Sequence, residues 1–351
     1  MRILITGGAG FVGSNFAIKL KQRNPLFDIA VLDNLKRRGS ELNLPRLKEK
    51  EIRFIQGDVR NPEDFEEVQG FDLLIECSAE PSVLAGINSS PKYLLNTNLI
   101  GTINCLEEVR KNNAKIIFLS TSRIYPIESI NNFEFKETES RFIFSGEQKG
   151  ASSKGIREDF PLEGARSLYG ATKLCSEHLV EEYIDSFGIG GIINRCGVIT
   201  GPWQMGKVDQ GVIVLWVAKH IYGGKLSYIG YGGEGKQVRD FIHIDDLFNL
   251  IELQINNFER FNKGTFNIGG GLENSTSLKE LTKVCQEITG NKIEIDSITQ
   301  NRKLDLRWFI TDSTKIKSII DWTPKKDLRQ TVKAIHEWII KNKEELRPIL
   351  S

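Results

Sequence analysis

Tyr169 and Lys173 stand four residues apart in Ser167-Leu168-Tyr169-Gly170-Ala171-Thr172-Lys173, a spacing that puts both on one face of a helix. A phenol ordinarily titrates at about 10, too high for a base at neutral pH. An ammonium beside it favours the phenolate and pulls that value down. Such a phenolate can take the proton of a substrate hydroxyl and later hand it back. The plain alternative for the pair is a surface contact. Ser120-Thr121-Ser122 ends the apolar run from Ile116 to Leu119. Open parallel sheets bind ligands beyond the carboxyl ends of their strands. Thr121 is therefore placed to hydrogen-bond a reacting oxygen and relay its proton to Tyr169, unless it only caps the next turn.

The elements that must hold these groups begin at the N-terminus. In MRILITGGAGFVGS an apolar run, Ile3 to Ile5, leads into Gly7, Gly8, Gly10 and Gly13 and then a helix-like stretch. A strand, a glycine turn and a helix N-terminus make a pyrophosphate site. Gly7, Gly10, Phe11 and Val12 are the expected cofactor contacts there. Asp33 ends the next apolar run, where a carboxylate accepts from both ribose hydroxyls of NAD. Asn34 is grouped with it. Asp33 would repel the 2′-phosphate of NADP, while Arg37 and Arg38 close by weigh the other way. The expected cofactor is NAD.

Strands and helices alternate along the first half, which favours a parallel sheet covered on both faces. The pattern predicts strands at 2–6, 28–33, 52–56, 72–77, 115–120 and 189–195. Helices are expected at 11–23, 62–68, 92–112 and 167–187, with later ones at 278–290 and 327–343. The polar, Gly- and Ser-rich segment 126–166 breaks the alternation and reads as a long insertion near the site or a partly mobile loop. The expected fold is α/β: an NAD-binding, Rossmann-like, doubly wound parallel sheet with a smaller C-terminal substrate-binding lobe. The expected division is 1–195 for the dinucleotide domain, with a return segment at about 238–268, and 196–351 mainly for the substrate lobe.

The chain has 351 residues and a formal net charge of +1. That balance gives no global field favouring nucleic acid or an anionic membrane. Five cysteines (Cys77, Cys105, Cys175, Cys196 and Cys285) lack metal-ligand spacing, as do the four histidines, so no metal site is expected. The cysteines suit a reducing cytoplasm. The first strand starts at once, which leaves no room for a cleaved signal, and no apolar run reaches a membrane span.

TGGAGFVG, Asp33, Asp58-Val59, Asn98-Leu99-Ile100-Gly101-Thr102, the hydroxyl cluster and Tyr169/Lys173 together resemble the extended short-chain dehydrogenase/reductase family of nucleotide-sugar enzymes. The resemblance covers nearly the whole chain, with the motifs in family order. It implies that Asp58 and Val59 contact adenine and that Ala79 lies near the nicotinamide half. It further implies that Asn98 braces the helix behind the site, Thr121 is the catalytic hydroxyl, Tyr169 the base and Lys173 its ribose-binding partner. The shared first step is hydride removal from a sugar carbon to NAD while the tyrosine takes the hydroxyl proton. The family's sugar 4,6-dehydratases place an Asp-Glu pair straight after the Thr. Ser122-Arg123 stands there in this chain and is assigned to the substrate. Epimerisation, in which the keto-sugar takes the hydride back on its other face, needs no such acids.

Two further stretches, Arg195 to Gly211 and Tyr228 to Asp240, resemble a branch of the family that inverts C2 of CDP-linked sugars. The expected substrate is thus a nucleotide-diphosphate sugar, CDP-linked. Sugar 4-epimerisation on a UDP-sugar, decarboxylation or dehydration, and a non-catalytic NAD-binding scaffold are the alternatives. The resemblance assigns the substrate diphosphate to Arg239, where the family has a phosphate-binding arginine, and to Arg302, a late arginine before the acidic Asp305; guanidinium can grip phosphate in a bidentate fork. Arg307 rivals Arg302. Gln204, Lys207 and Gln210 either line the sugar or nucleotide pocket or cap turns. Cys196 is read as a packing residue, and His243 as ordering a strand-to-helix turn. The resemblance also implies a homodimer or homotetramer built on 92–112 and 167–187.

Overall fold

The computed structural model describes residues 1–87, 89–207 and 210–351. The chain divides into two compact units. The first takes in Met1–Ile124, Ser167–Arg195 and Phe248–Phe266. The second takes in Tyr125–Arg166, Cys196–Leu247 and Asn267–Ser351. The insertion thus belongs to the second unit, and the return segment enters the first only at Phe248.

The seven-stranded sheet runs in the order Gly264–Ile268, Gly190–Cys196, Lys115–Thr121, Leu73–Glu76, Arg2–Thr6, Asp28–Asp33, Arg53–Gln56. The five strands from Lys115–Thr121 to Arg53–Gln56 pair in parallel. The order of connection reverses between Arg2–Thr6 and Leu73–Glu76, the kind of switch point where such sheets bind dinucleotides. Their apolar runs are buried because helices cover them. Leu4, Leu74, Ile116 and Phe118 pack with Cys105, Leu106, Val180 and Ile184. The helix Phe11–Arg23 opens directly after the glycine turn. The helix Leu168–Phe187 starts at Ser167, whose side chain accepts the Gly170 N–H, and stops at Gly188 in the left-handed region.

Three expectations need correcting. The stretch 62–68 holds only a 3-10 turn, Pro62–Phe65; Pro62 supports an N-terminus, but too few residues follow it to propagate a helix. The stretch 92–112 is three pieces: Lys92–Leu95, a π-helical turn Asn96–Ile100 and Gly101–Lys111. The segment 126–166 is ordered, with a helix Ile127–Asn131 and hairpins Phe135–Glu137/Phe142–Phe144 and Ala151–Ser152/Gly155–Ile156. Its aromatic residues hold it: Phe133 meets Phe144 at 4.6 Å and Phe160 at 5.8 Å between ring centroids.

In the second unit Val238–His243 is central. It pairs in parallel with Val198–Thr200 and Trp308–Phe309 and antiparallel with Ser275–Ser277. The helices Val212–Tyr222, Leu278–Thr289 and Leu328–Lys341 pack on one another. The last two open on capping boxes, Ser277 with Glu280 and Asp327 with Gln330.

Candidate active site

The glycine turn of the first unit is shaped by what it cannot hold. Gly7 has φ +64°, and a Cβ there would lie 2.8 Å from the backbone of Cys77. A Cβ on Gly13 would lie 2.4 Å from the Gly7 carbonyl oxygen. The helix Phe11–Arg23 begins at Gly10 with no side-chain cap and no acid in its first turn. Its leading N–H groups therefore suit an anion, and the turn fits the pyrophosphate of a dinucleotide. Phe11 and Val12 are half-buried at the helix start.

Asp33 accepts the Ala9 N–H at 3.1 Å and the Leu35 N–H at 2.8 Å. Burial pushes its carboxyl up, against the pull of these N–H groups. Asp58 takes four donors, the Arg60 N–H, Nε and a terminal nitrogen and the Asn34 Nδ2, at 2.6–3.0 Å. Burial raises it, but these bonds and the Arg60 charge outweigh burial and hold it at about 2. Four donors fill a carboxylate, so an adenine contact at the Asp58 side chain must displace one. Val59 is buried and meets the helix at Gly101, where a Cβ would fall 2.6 Å from its Cγ2. Ala79 is half-buried beyond the strand Leu73–Glu76.

Asn98 sits in the π-helical turn, a feature often found at functional sites. Its Oδ1 accepts the Glu80 N–H at 2.7 Å, and its Nδ2 faces the Glu80 carbonyl at 3.1 Å and Thr172 Oγ1 at 3.2 Å. Thr172 in turn donates to the carbonyl of Tyr169 at 2.8 Å. The brace thus reaches the helix Leu168–Phe187 within a turn of Tyr169 and Lys173. That helix packs on the strand Lys115–Thr121 and on the turn Ser122–Ile124. Thr121 is buried, and its Oγ1 accepts the Arg123 N–H at 3.2 Å. Ser122, Arg123 and Tyr169 are half-buried. Lys173 is 2 % exposed, with Nζ 3.9 Å from the centre of the Phe118 ring, a cation–π seat for a buried ammonium.

Glu177 and Arg195 complete the support and were not singled out from the sequence. Arg195 Nε reaches Glu177 Oε2 at 3.0 Å and a terminal nitrogen reaches it at 2.8 Å. Ser120 Oγ donates to Oε1. The spacing held the signal: Tyr169, Lys173 and Glu177 recur every four residues on one helical face.

Among the second unit's expected substrate residues, Arg239 is held by Asp305 at 2.9 Å and by the carbonyls of Leu306 and Val238. Arg302 is half-exposed three residues before Asp305. Arg307 lies among aromatic rings, 5.1 Å from Phe135, 5.5 Å from Phe142 and 5.3 Å from Tyr231. Gln204 is buried and bonds Thr200 and the Ile199 carbonyl, which is turn capping. Lys207 and Gln210 pair through their backbones at 2.7 and 3.0 Å. Lys207 is exposed, and Gln210 keeps a buried Oε1 without a hydrogen bond. Val208 and Asp209, quoted between them, lie outside the described residues. His243 orders its turn as expected, Nδ1 accepting the Asp245 N–H at 3.1 Å. Among the described residues no group of three His, Cys, Asp or Glu side chains could hold a metal.

Comparison with known proteins decides the family. The profile of the NAD-dependent epimerase/dehydratase family matches residues 3–269. The chain belongs to this family. The motif resemblance is therefore confirmed, and NAD is the family's cofactor. A CDP-paratose 2-epimerase of Salmonella typhi is 31% identical, over 96% of this chain and 99% of that protein. A dTDP-glucose 4,6-dehydratase of Mycobacterium tuberculosis is 27% identical, over 99% and 96%. Among solved structures, the UDP-glucose 4-epimerase of Thermotoga maritima with UDP-glucose is similar at TM-score 0.79, with 27% identity over 98% of this chain and 100% of that one. The dTDP-glucose 4,6-dehydratase of Bacillus anthracis in complex with NAD reaches TM-score 0.78, with 26% identity over 99% of each chain. The family's Rossmann-like sheet is thus the first unit of this chain. Among the described residues no helix is long and apolar enough to cross a membrane.

Proposed function

We propose that this chain is an NAD-dependent nucleotide-sugar epimerase that inverts C2 of a CDP-linked sugar, interconverting CDP-paratose and CDP-tyvelose. One observation carries epimerisation over dehydration: Thr121 is followed by Ser122 and Arg123 in a 3-10 turn, with no carboxylate where elimination needs an acid and a base. The similarity to the Salmonella typhi protein supports C2 and cytidine. Gly7, Gly10, Phe11 and Val12 would hold the pyrophosphate, Asp33 and Asn34 the adenosine ribose, Asp58 and Val59 the adenine. Ala79, Asn98, Tyr169 and Lys173 would serve the nicotinamide half. When bound, NAD supplies reversible hydride acceptance at the sugar carbon.

The chain's own residues do the rest. Tyr169 Oη takes the proton of the substrate hydroxyl as the carbonyl forms and returns it when the carbonyl is reduced. The Lys173 ammonium favours the phenolate. Thr121 Oγ hydrogen-bonds the reacting oxygen and steers its proton toward Tyr169, while Ser122 and Arg123 contact the sugar. Arg239 and Arg302 are the proposed diphosphate ligands. Gln204, already committed to its own turn, is better read as a cap, whereas the orphan Oε1 of Gln210 keeps a place for a substrate donor. Leu95, Ile100 and Leu168 are 37, 41 and 40% exposed on the first unit, which supports pairing of two copies there. The free cysteines support a cytoplasmic setting.

The test is turnover of purified protein with CDP-, UDP- and dTDP-sugars in heavy water, followed by NMR. Inversion at C2 of the CDP-sugar without solvent deuterium is the expected result. Uptake of deuterium at the inverted carbon would replace hydride return with carbanion chemistry. Inversion at C4 of a UDP-sugar would favour the 4-epimerase, and a 4-keto-6-deoxy product the dehydratase.

A further inference from the structure

Glu76 ends the strand Leu73–Glu76, is 1 % exposed, and has no part in the steps above. In parallel register it lies between Thr6 and Phe118. Alternation puts it on the same face as Leu74, toward the core that holds Cys105 and Phe118. Lys173 Nζ rests on that same Phe118 ring. A carboxyl group and the lysine of the reacting pair therefore share one closed compartment.

The proton count there is informative. Glu76 Oε1 lies 2.6 Å from Thr102 Oγ1, and Thr102 Oγ1 lies 2.8 Å from the carbonyl oxygen of Asn98. A threonine hydroxyl has one proton to give. If that proton goes to Glu76, the 2.8 Å contact faces lone pair on lone pair. If it goes to Asn98, the 2.6 Å contact needs a proton from the carboxyl. Both contacts are hydrogen bonds only when Glu76 is the donor at the head of the chain. Its other oxygen, Oε2, is buried with no hydrogen-bond partner, a position costly for an anion and far less so for a neutral acid. The Asn98 carbonyl also accepts from Ser176 Oγ at 3.1 Å. The chain thus runs from the strand end to the helix that carries Tyr169 and Lys173.

We propose that Glu76 is a positioning residue for the Tyr169–Lys173 pair: as a neutral acid it donates to Thr102, orders the Asn98 brace and sets no negative charge of its own against Lys173. Burial pushes its carboxyl up, against the pull of Lys173 and Thr102. The groups facing it are Lys173 from the catalytic helix, Thr102 and Cys105 from the helix Gly101–Lys111, and Thr6 from the first strand. Burial pushes the Cys105 thiol well up, so it adds no charge. Glu177 is occupied by Arg195 and Ser120. Ionised Glu76 could only accept the Thr102 proton, which would cost the Thr102 bond to the Asn98 carbonyl, and would set a negative charge against Lys173, weakening its support of the phenolate.

This role rests on the epimerase reading, because it acts through Tyr169 and Lys173. Its first readout does not. Isotope-edited infrared spectra of the holoenzyme at neutral pH should show a protonated-carboxyl band that is missing in Glu76→Gln. In Thr102→Val the band should move to higher frequency, which keeps the assignment testable if Glu76→Gln does not fold. In turnover, Glu76→Gln keeps a neutral donor beside Thr102 and should leave the acid limb of kcat in place, whereas Glu76→Leu removes the donor and should show a loss of kcat that Glu76→Gln does not. Absence of the band overturns the proposal. So does a downward move of the acid limb in Glu76→Gln, which would make Glu76 an anion cancelling Lys173, or a Glu76→Leu variant as active as Glu76→Gln. A protein that turned over no nucleotide sugar but kept the band would sink the epimerase reading and leave the proton assignment standing.

Discussion

At the residue scale the proposed reaction hangs on one phenol and one ammonium. Tyr169→Phe removes the proton acceptor but not the ring, so kcat should fall by about 10²–10⁴-fold with NAD still bound. Turnover by NMR, together with cofactor released on denaturation, checks both halves. Wild-type rates would reject Tyr169 as the base. Lys173 is a different case because it is buried against Phe118. Lys173→Met keeps the packing and removes the charge. The acid limb of kcat should then move to higher pH, because the phenolate loses its counter-charge. A limb that stayed in place would show that another cation tunes the phenol.

At the element scale the helix Leu168–Phe187 is fixed by contacts of very different sequence range, and this decides what could be read in advance. The strands at 2–6, 28–33, 115–120 and 189–195 were legible within a residue or so, because fully buried parallel strands must be apolar along their length. The helix that carries Tyr169 and Lys173 was legible too, at 167–187, because its spacing is local. The π-helical turn at Asn96–Ile100 was not. Nothing in Asn96-Thr97-Asn98-Leu99-Ile100 opposes an ordinary helix. The extra residue per turn is held in place by Glu80, Thr102 and Ser176, far apart in the chain. The hairpins of 126–166 escaped notice for the same reason: their polar faces resemble a loop, while their phenylalanines find partners beyond the segment at Tyr125, Tyr231 and Trp308. Glu177 and Arg195 form a buried pair that only folding brings together. Arg195→Met leaves the Glu177 carboxylate buried without its cation and should cost about 3–5 kcal/mol. Urea unfolding would measure the loss, and a change under ~1 kcal/mol would show that Ser120 alone satisfies the acid.

At the scale of the whole molecule the two units should answer acid in opposite senses. Asp58, in the first unit, sits at about 2 when folded and about 3.9 when unfolded. It adds stability above the unfolded value that is lost as pH falls toward the folded one, reduced by solvent screening because it is partly exposed. Asp240, in the second unit, is the reverse. Burial pushes it to about 6, although the Gly271 N–H and the Thr311 hydroxyl oppose the change. Below about pH 4 both folded and unfolded chains hold its proton. Between about pH 4 and 6 only the folded chain does, so the unfolded state binds fewer protons and stability falls as pH rises. That separation is worth about 3 kcal/mol. All five tryptophans (Trp203, Trp216, Trp308, Trp322 and Trp338) lie in the second unit, so tryptophan fluorescence reads its unfolding by urea selectively. Asp240→Asn keeps the shape and cannot titrate. The wild-type unfolding free energy should drop relative to this variant by about 3 kcal/mol across that window. Parallel curves would mean that Asp240 keeps its charge in the folded chain and that the Gly271 and Thr311 bonds outweigh its burial.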